Sequence, residues 1–154
     1  MSSKRRGMEL RVFRDSESVG VEGARIAMSV LKESPTPLIC AASGNSPTVL
    51  YRELSRQLRD ESFFAREMRV IKLDEWLGVP LHEPGSCERA IREQLLEPAG
   101  IPPSGYIGFS SNEQISEKET GRIDAFLEAS EPIDLALLGL GSNGHIGFNE
   151  PGEY

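Results

Sequence analysis

The chain has 154 residues, the size of one ordinary domain, and a formal net charge of −7 at pH 7. Apolar residues make up 38% and charged residues 27%, a balance typical of globular proteins, and no run approaches the ~20 apolar residues that a membrane span requires. We expect no binding to nucleic acid or membrane, because the chain is acidic, its basic residues are scattered and it has no apolar run of the required length. We also expect a cytoplasmic protein, because the sequence has no signal-peptide pattern and its two cysteines have no paired spacing.

Apolar patterns then predict strands and helices that alternate along the chain. The predicted strands are residues 10–13, 37–42, 68–73 and 133–138, with a weaker candidate at 106–109. The predicted helices are residues 17–32, 86–96 and 113–129, and one that follows Pro47. The pattern indicates a single α/β domain over residues 1–154, Rossmann-like and doubly wound, with a mostly parallel sheet covered by helices on both faces.

Ligands of such folds bind at the carboxyl ends of the strands, so the loops that follow strands are the candidate sites. The first loop contains Ser43, Gly44, Asn45 and Ser46, ahead of the helix that Pro47 opens. A helix N-terminus flanked by hydroxyl groups favours an anion, which suggests a phosphate site. An ordinary turn with Ser46 capping the helix is the alternative.

The second loop places two adjacent acids, Asp74 and Glu75, after an apolar strand. A carboxylate at this point is well placed to act as a general base. Because neighbouring residues of an extended chain point in different directions, at most one of the two should face a common site. The alternative is a pair of solvated acids beside a packing Trp76, and we interpret His82 as a surface residue.

The third loop, GLGSNGHIGFNEPG at residues 139–152, contains a match to the dinucleotide fingerprint GxGxxG. That fingerprint must open a helix, whereas the glycines and proline here favour an irregular loop. The loop also gathers Asn143, His145, Asn149 and Glu150. This density of polar groups favours a catalytic loop around His145 over a purely structural histidine.

Taken together, these three loops resemble the glucosamine-6-phosphate deaminase/isomerase family, which is related in fold to 6-phosphogluconolactonase. The matching motifs are SGNSPT, KLDEW, PLHEPGSCE and GLGSNGHIGFNEPGE, in that order. The pairing of KLDEW with PLHEPGSCE and the form of the last loop are most similar to the galactosamine-6-phosphate deaminase branch. The lactonase branch instead carries a DER segment and a GHTASLFP loop.

The resemblance implies conversion of a 2-amino-2-deoxyhexose 6-phosphate to a ketose phosphate and ammonia, without metal or organic cofactor. It implies that Asp74 is the base that moves a proton between C2 and C1. His145 would assist ring opening, with Glu150 orienting it, and the loop from Ser43 to Ser46 would hold the phosphate.

Asn143 departs from the glucosamine-6-phosphate enzymes, which carry Asp at this position. An amide donates a hydrogen bond but does not relay a proton, which weakens the glucosamine assignment. The resemblance to the galactosamine-6-phosphate branch, where Asn is usual at this position, implies galactosamine 6-phosphate as the favoured substrate. Family members also continue well beyond the NEP motif, so we expect the chain to be the N-terminal portion of a longer domain.

Two alternative functions stay open. They are a 6-phosphogluconolactonase-like hydrolase and a non-catalytic fragment that binds a sugar phosphate. The sequence also leaves open whether copies of the chain form a homo-oligomer.

Overall fold

A computed structural model describes residues 7–112, 114 and 116–152. Its helices are α1 (Ser16–Leu31), α2 (Thr48–Asp60), α3 (Ser62–Glu67), α4 (Cys87–Ile91), α5 (Glu97–Ala99) and α6 (Ser116–Glu128). Its strands are β1 (Leu38–Ala41), β2 (Arg69–Lys72), β3 (Tyr106–Ile107) and β4 (Leu135–Leu137). A π-helical turn, Arg92–Leu96, joins α4 to α5, and a 3₁₀ turn, Pro103–Gly105, precedes β3.

The four strands form one parallel sheet in the order β3-β2-β1-β4. Ala41 at the end of β1 is in register with Lys72 on one side and with Leu137 on the other. The carboxyl ends of three adjacent strands therefore lie level with one another. The loops that follow β1, β2 and β4 leave the sheet at the same edge.

Alternate residues of β1 pack into two different cores, because successive side chains of a strand point to opposite faces. Ile39 and Ala41 pack with apolar residues of α1 and α2. Leu38 and Cys40 pack with Ile123 of α6 on the other face. Helices thus cover both faces of the parallel sheet, which confirms the predicted α/β class.

One predicted strand is wrong. Residues 10–13 form no strand, and the side chains of Leu10 and Val12 are 79% and 85% exposed. Apolar alternation predicts that a segment suits a sheet, but a strand also needs a neighbour to pair with, and in the described part of the chain this segment lies beside none.

The other predicted elements are confirmed with shifted ends. The helix predicted to begin at residue 86 has Ser86 as its N-cap, and its second half is π-helical. The helix predicted from residue 113, which lies outside the described residues, is seen from Ser116. Within the described residues, no helix combines the length and the apolar character needed to cross a bilayer.

Candidate active site

The loops after β1, β2 and β4 surround one cleft of about 920 Å³ at the carboxyl edge of the sheet. The start of α4 and the π-helical turn form its remaining wall. Seven of the predicted site residues line this cleft, and they are Ser43, Gly44, Asn45, Ser46, Asp74, His145 and Glu150. The eighth, Asn143, contacts two of them. The fold therefore brings together residues that are up to 107 positions apart in the sequence, from residue 43 to residue 150.

The loop after β1 is held at its base by Tyr51, whose hydroxyl donates to the carbonyl of Ala42 at 2.6 Å. Helix α2 follows the loop with Pro47 at the cap position, and no described side chain caps its first turn. Ser46 therefore does not act as the cap that the alternative interpretation required. The Thr48 amide donates to the carbonyl of Asn45 at 3.3 Å, so the amides of Val49 and Leu50 are the ones in the first turn that could bind an anion.

Asp74 follows β2 and is half-buried in the wall of the cleft. Burial is the main cause that raises the pKa of Asp74, and the charge of Glu75 raises it further. The Cys87 thiol and Lys72 act in the opposite direction, but they do not cancel the effect of burial. A carboxylate with a raised pKa binds a proton more readily than an ordinary aspartate, as a general base must.

Glu75 turns away from the cleft into a buried ion cluster. Its carboxylate accepts from Lys72 Nζ at 2.6 Å and from the backbone amides of Cys87 and Glu88 at 2.9 and 2.8 Å. Burial raises the pKa of Glu75, but these donors outweigh burial and the net pKa is lowered. Adjacent acids thus have opposite surroundings, which confirms that only one of them faces the cleft.

Glu88 completes the ion cluster from the first turn of α4. It accepts from Lys72 Nζ at 3.0 Å, from the Tyr106 hydroxyl at 2.5 Å and from Arg92 Nε at 2.7 Å. Burial works to raise the pKa of Glu88, and these donors lower it on balance. The cluster fixes the backbone around Asp74 to the start of α4. Sequence reasoning missed it, although a lysine ending an apolar strand was a usable signal.

His145 is oriented through Asn143. The Asn143 amide nitrogen donates to Glu150 Oε2 at 2.7 Å, and its oxygen lies 2.7 Å from His145 Nδ1. A carboxylate only accepts hydrogen bonds, so the amide nitrogen must face Glu150 and the amide oxygen must face the imidazole. In the neutral ring the proton then lies on Nδ1, and Nε2 carries the free lone pair. The direct distance between Glu150 and the ring is longer, with Glu150 Oε1 3.8 Å from His145 Nδ1.

Two glycines of the third loop allow the close contacts around these side chains. A Cβ at Gly141 would lie 2.2 Å from His145 Cε1. Gly147 has a φ of +59°, and a Cβ there would lie 3.2 Å from Leu73 Cδ2 and 3.5 Å from Asp74 Oδ2. The loop is irregular between residues 139 and 152, with no helix after the GxGxxG match. These glycines make room for the side chains that pack around the cleft. They do not open a helix whose N-terminus could bind a pyrophosphate.

Two aromatic residues that sequence reasoning left out of the site also line the cleft. Trp76 and Phe148 have ring centroids 4.2 Å apart, with planes tilted by 37°. Their side chains are half-exposed, and their contact joins the loops after β2 and β4. His82, predicted as a surface residue, is exposed. Asn149 donates to the carbonyl of Ile146 and closes a turn of the third loop.

Cys87 connects the first two loops. The thiol interacts with Ser43 and with Asp74, and burial is the main cause that raises its pKa to about 11. Cys87 therefore stays protonated near neutral pH and can donate to a carboxylate. Both Cys87 and Cys40 are free thiols.

Comparison with known proteins identifies one matching family. The family model described as "Glucosamine-6-phosphate isomerases/6-phosphogluconolactonase" matches residues 16–147. The chain is 36% identical over 126 residues to the putative deaminase AgaI of Escherichia coli, covering 82% of the chain and 50% of the relative. It is 32% identical to a glucosamine-6-phosphate deaminase of Streptomyces coelicolor, covering 94% of the chain and 55% of the relative.

Solved structures give the same result. A glucosamine-6-phosphate deaminase described as monomeric superposes with a TM-score of 0.86 and 29% identity, covering 96% of the chain and 61% of that protein. A 6-phosphogluconolactonase from Thermotoga maritima superposes with a TM-score of 0.75 and 27% identity, covering 90% and 62%. The chain thus spans about half the length of the curated relatives it matches.

Proposed function

The chain belongs to the glucosamine-6-phosphate isomerase/6-phosphogluconolactonase family, and we propose that it acts as an amino-sugar phosphate deaminase/isomerase. In this reaction a 2-amino-2-deoxyhexose 6-phosphate and water give a ketohexose 6-phosphate and ammonia. One observation carries the proposal. Asp74, a base with a raised pKa, shares one cleft with a histidine whose Nε2 is free to accept a proton.

His145 would act first, on the closed sugar ring. Its Nε2 takes the proton of the C1 hydroxyl and returns a proton to the ring oxygen as the bond between C1 and that oxygen breaks. Asn143 and Glu150 hold the imidazole in the required tautomer. They act through His145 and therefore have a positioning role.

Asp74 would act next, on the open-chain aldehyde. The carboxylate removes the proton from C2 while the aldehyde oxygen takes a proton from the substrate's ammonium group, which gives an enolamine with a hydroxyl at C1. The protonated carboxyl then delivers its proton to C1, which leaves an iminium at C2 and restores the carboxylate. Water then adds at C2, and ammonia leaves. The buried Lys72–Glu75–Glu88 cluster supports this step because it holds Glu75, and with it the adjacent backbone of Asp74, against the start of α4.

The loop from Ser43 to Ser46 would bind the substrate's polar groups at the other side of the cleft. The hydroxyl groups and backbone amides of this loop, which lines the cleft just ahead of α2, suit phosphate oxygens. Anchoring a group remote from the reacting carbons lets binding energy hold C2 near Asp74. Galactosamine 6-phosphate is the favoured substrate, and the amide at Asn143 supports that choice.

Ammonia release from galactosamine 6-phosphate and from glucosamine 6-phosphate tests the proposal. We expect release by the purified chain, faster with the galactosamine epimer, and loss of at least about a hundredfold in kcat for Asp74→Asn. Asp124→Asn, which changes an exposed aspartate of α6, is the matched control and should keep full activity. Equal activity of Asp74→Asn and the wild type would remove Asp74 as the base.

The same preparation separates the alternatives. The likeness to the Thermotoga maritima 6-phosphogluconolactonase is the reason to test lactone hydrolysis. The lactonase would be favoured if the chain hydrolyses 6-phosphogluconolactone above its spontaneous rate and releases no ammonia from either amino sugar. Binding of an amino-sugar phosphate without turnover would favour a non-catalytic fragment.

A further inference from the structure

Asp74, the proposed base, has one hydrogen-bond donor within the described part of the chain. That donor is the thiol of Cys87. The neighbouring Glu75 accepts from Lys72 and from three backbone amides, so several bonds fix its position. On the side of the third loop, the Asp74 carboxylate meets Gly147, which has no side chain to hold it. A single donor therefore sets the direction in which the carboxylate points.

Cys87 is held in place by the start of α4. Ser86 caps this helix with its hydroxyl. The Cys87 amide donates to Glu75 Oε1 at 2.9 Å, which ties the first turn of α4 to the residue after Asp74. The Cys87 residue is 3% exposed, it lines the cleft together with Asp74, and Ser43 of the first loop also interacts with its sulfur. The thiol thus meets the carboxylate from a backbone that hydrogen bonds hold in place.

A thiol is a suitable donor for a carboxylate that must also act as a base. Burial raises the pKa of Cys87 to about 11, so the thiol is neutral at pH 7, and a thiol is a weak donor. At Glu75, burial is outweighed by donors that include the ammonium of Lys72, and the pKa is lowered on balance. A weak neutral donor orients a carboxylate with a smaller effect on its affinity for a proton.

The effect of the thiol on Asp74 is separable from the effects of charge. Burial raises the pKa of Asp74 most, the thiol lowers it, the charge of Glu75 raises it and that of Lys72 lowers it. A neutral residue in place of Cys87 changes none of these charges, so a change in the titration of Asp74 reports the donor. The remaining titratable groups that face Asp74 or line its cleft are Cys40, Arg89, Glu93, His145 and Glu150.

We propose that Cys87 is a positioning residue for Asp74, whose thiol donates to the carboxylate and holds it facing the substrate in the cleft. Cys87 acts through Asp74 and takes no part in the proton transfers. The inference rests on the proposed function for the reaction in which Asp74 is the base.

NMR of the chain labelled at the aspartate carboxyl carbons tests the contact without substrate. The signal of Asp74 is the one that Asp74→Asn removes. Cys87→Val is close to cysteine in volume but has no donor, so the pKa of Asp74 should rise above that of the wild type. Cys87→Ser has a stronger donor than a thiol, so this pKa should fall below the wild-type value. Cys87→Ala matches Cys87→Ser in size and replaces Cys87→Val if the valine variant does not fold.

Ammonia release as a function of pH tests the positioning role. Loss of the donor in Cys87→Val should lower kcat about two- to tenfold, as the net value of one hydrogen bond implies. The acidic limb of the kcat/KM profile should move to higher pH in Cys87→Val and to lower pH in Cys87→Ser. A purely structural role would not move the limb in opposite directions.

Cys40→Val is the matched control. Cys40 is the other free thiol, and it packs in β1 with Leu38 and Ile123. It gives no hydrogen bond to Asp74, so its replacement should leave the titration of Asp74 unchanged. Circular dichroism checks that each variant is folded.

The assignment is overturned if Asp74 titrates at the same pH in Cys87→Val, Cys87→Ser and the wild type, whether or not ammonia is released. A lower kcat in Cys87→Val with an unchanged Asp74 titration would overturn it too, because the loss would then be structural. An ordered titration in a chain that releases no ammonia would reject the deaminase and leave the contact between Cys87 and Asp74.

Discussion

Replacing Lys72 with methionine tests whether the buried ion cluster holds the backbone around Asp74. The Lys72 side chain is fully buried, and its partners Glu75 and Glu88 are 1% and 7% exposed. Methionine fills similar space but leaves two carboxylates without their shared cation. Removing one partner of a buried pair costs about 3–5 kcal/mol, a large share of the roughly 5–15 kcal/mol that stabilises a domain.

Urea denaturation at pH 7 measures this cost. With a slope of about 2 kcal/mol per M, the midpoint should fall by roughly 1.5–2.5 M. The triple variant Lys72→Met/Glu75→Gln/Glu88→Gln should recover much of the loss, because glutamine keeps the shape without the charge. This variant also keeps the test decisive if Lys72→Met alone does not fold.

Lys32→Met is the matched control for Lys72→Met. Lys32 forms an ion pair with Glu61 at 2.6 Å, but the two side chains are 51% and 44% exposed. Its replacement should cost less than about 1 kcal/mol. If both lysine variants lose the same small amount, the buried cluster does not stabilise the fold and the reasoning is refuted.

Three further predictions concern pH and the cleft. The folded state lowers the pKa of Glu75 and Glu88 below their ordinary value of 4.5, so the stability they provide is present above about pH 4.5 and is lost as the pH falls through the lowered folded values. A urea midpoint that stays constant from pH 7 to pH 3 would contradict this. Gly147→Ala places a Cβ beside the Asp74 carboxylate at a φ of +59°, so it should lower kcat by about tenfold or more at unchanged secondary structure, as misplacement near a reacting group does. An unchanged kcat would argue that residue 147 does not contact Asp74. Asn143→Asp replaces the amide nitrogen that donates to Glu150 Oε2 with an oxygen that cannot donate to it, so it should lower kcat by about tenfold, as loss of orientation near a reacting group does. A kcat equal to that of the wild type would argue that Asn143 does not position the ring.

Local patterns were sufficient to predict most of the sheet. The runs that became β1, β2 and β4 are apolar on both faces, as buried parallel strands must be, and the helices between them have one apolar face. The segment at residues 10–13 has equally good alternation and still forms no strand. Pairing depends on which neighbour the tertiary structure supplies, and alternation does not encode that neighbour.

The candidate site was predictable where polar groups follow strands. Ser43, Asp74 and His145 lie in such loops, and the parallel sheet brings the loops to one edge. The wall that α4 contributes was not predictable from the same rule. In the sequence Arg89 is an ordinary helix residue with a pairing acid four residues later, and only the tertiary fold brings α4 to the cleft.

Asp74 and Glu75 show why sequence alone could not assign roles to two adjacent acids. The same backbone turn sends Asp74 into a half-buried position on the cleft, where burial raises its pKa, and sends Glu75 to a lysine and two amides that lower its pKa on balance. Two titratable groups whose environments separate their pKa values have different tasks. The group with the raised pKa can exchange a proton near the substrate, while the group with the lowered pKa stays charged and anchors the loop. Exchanging the two properties would require moving Lys72, so the ion cluster accounts for the difference between the two acids and supports the proposal that Asp74 is the base.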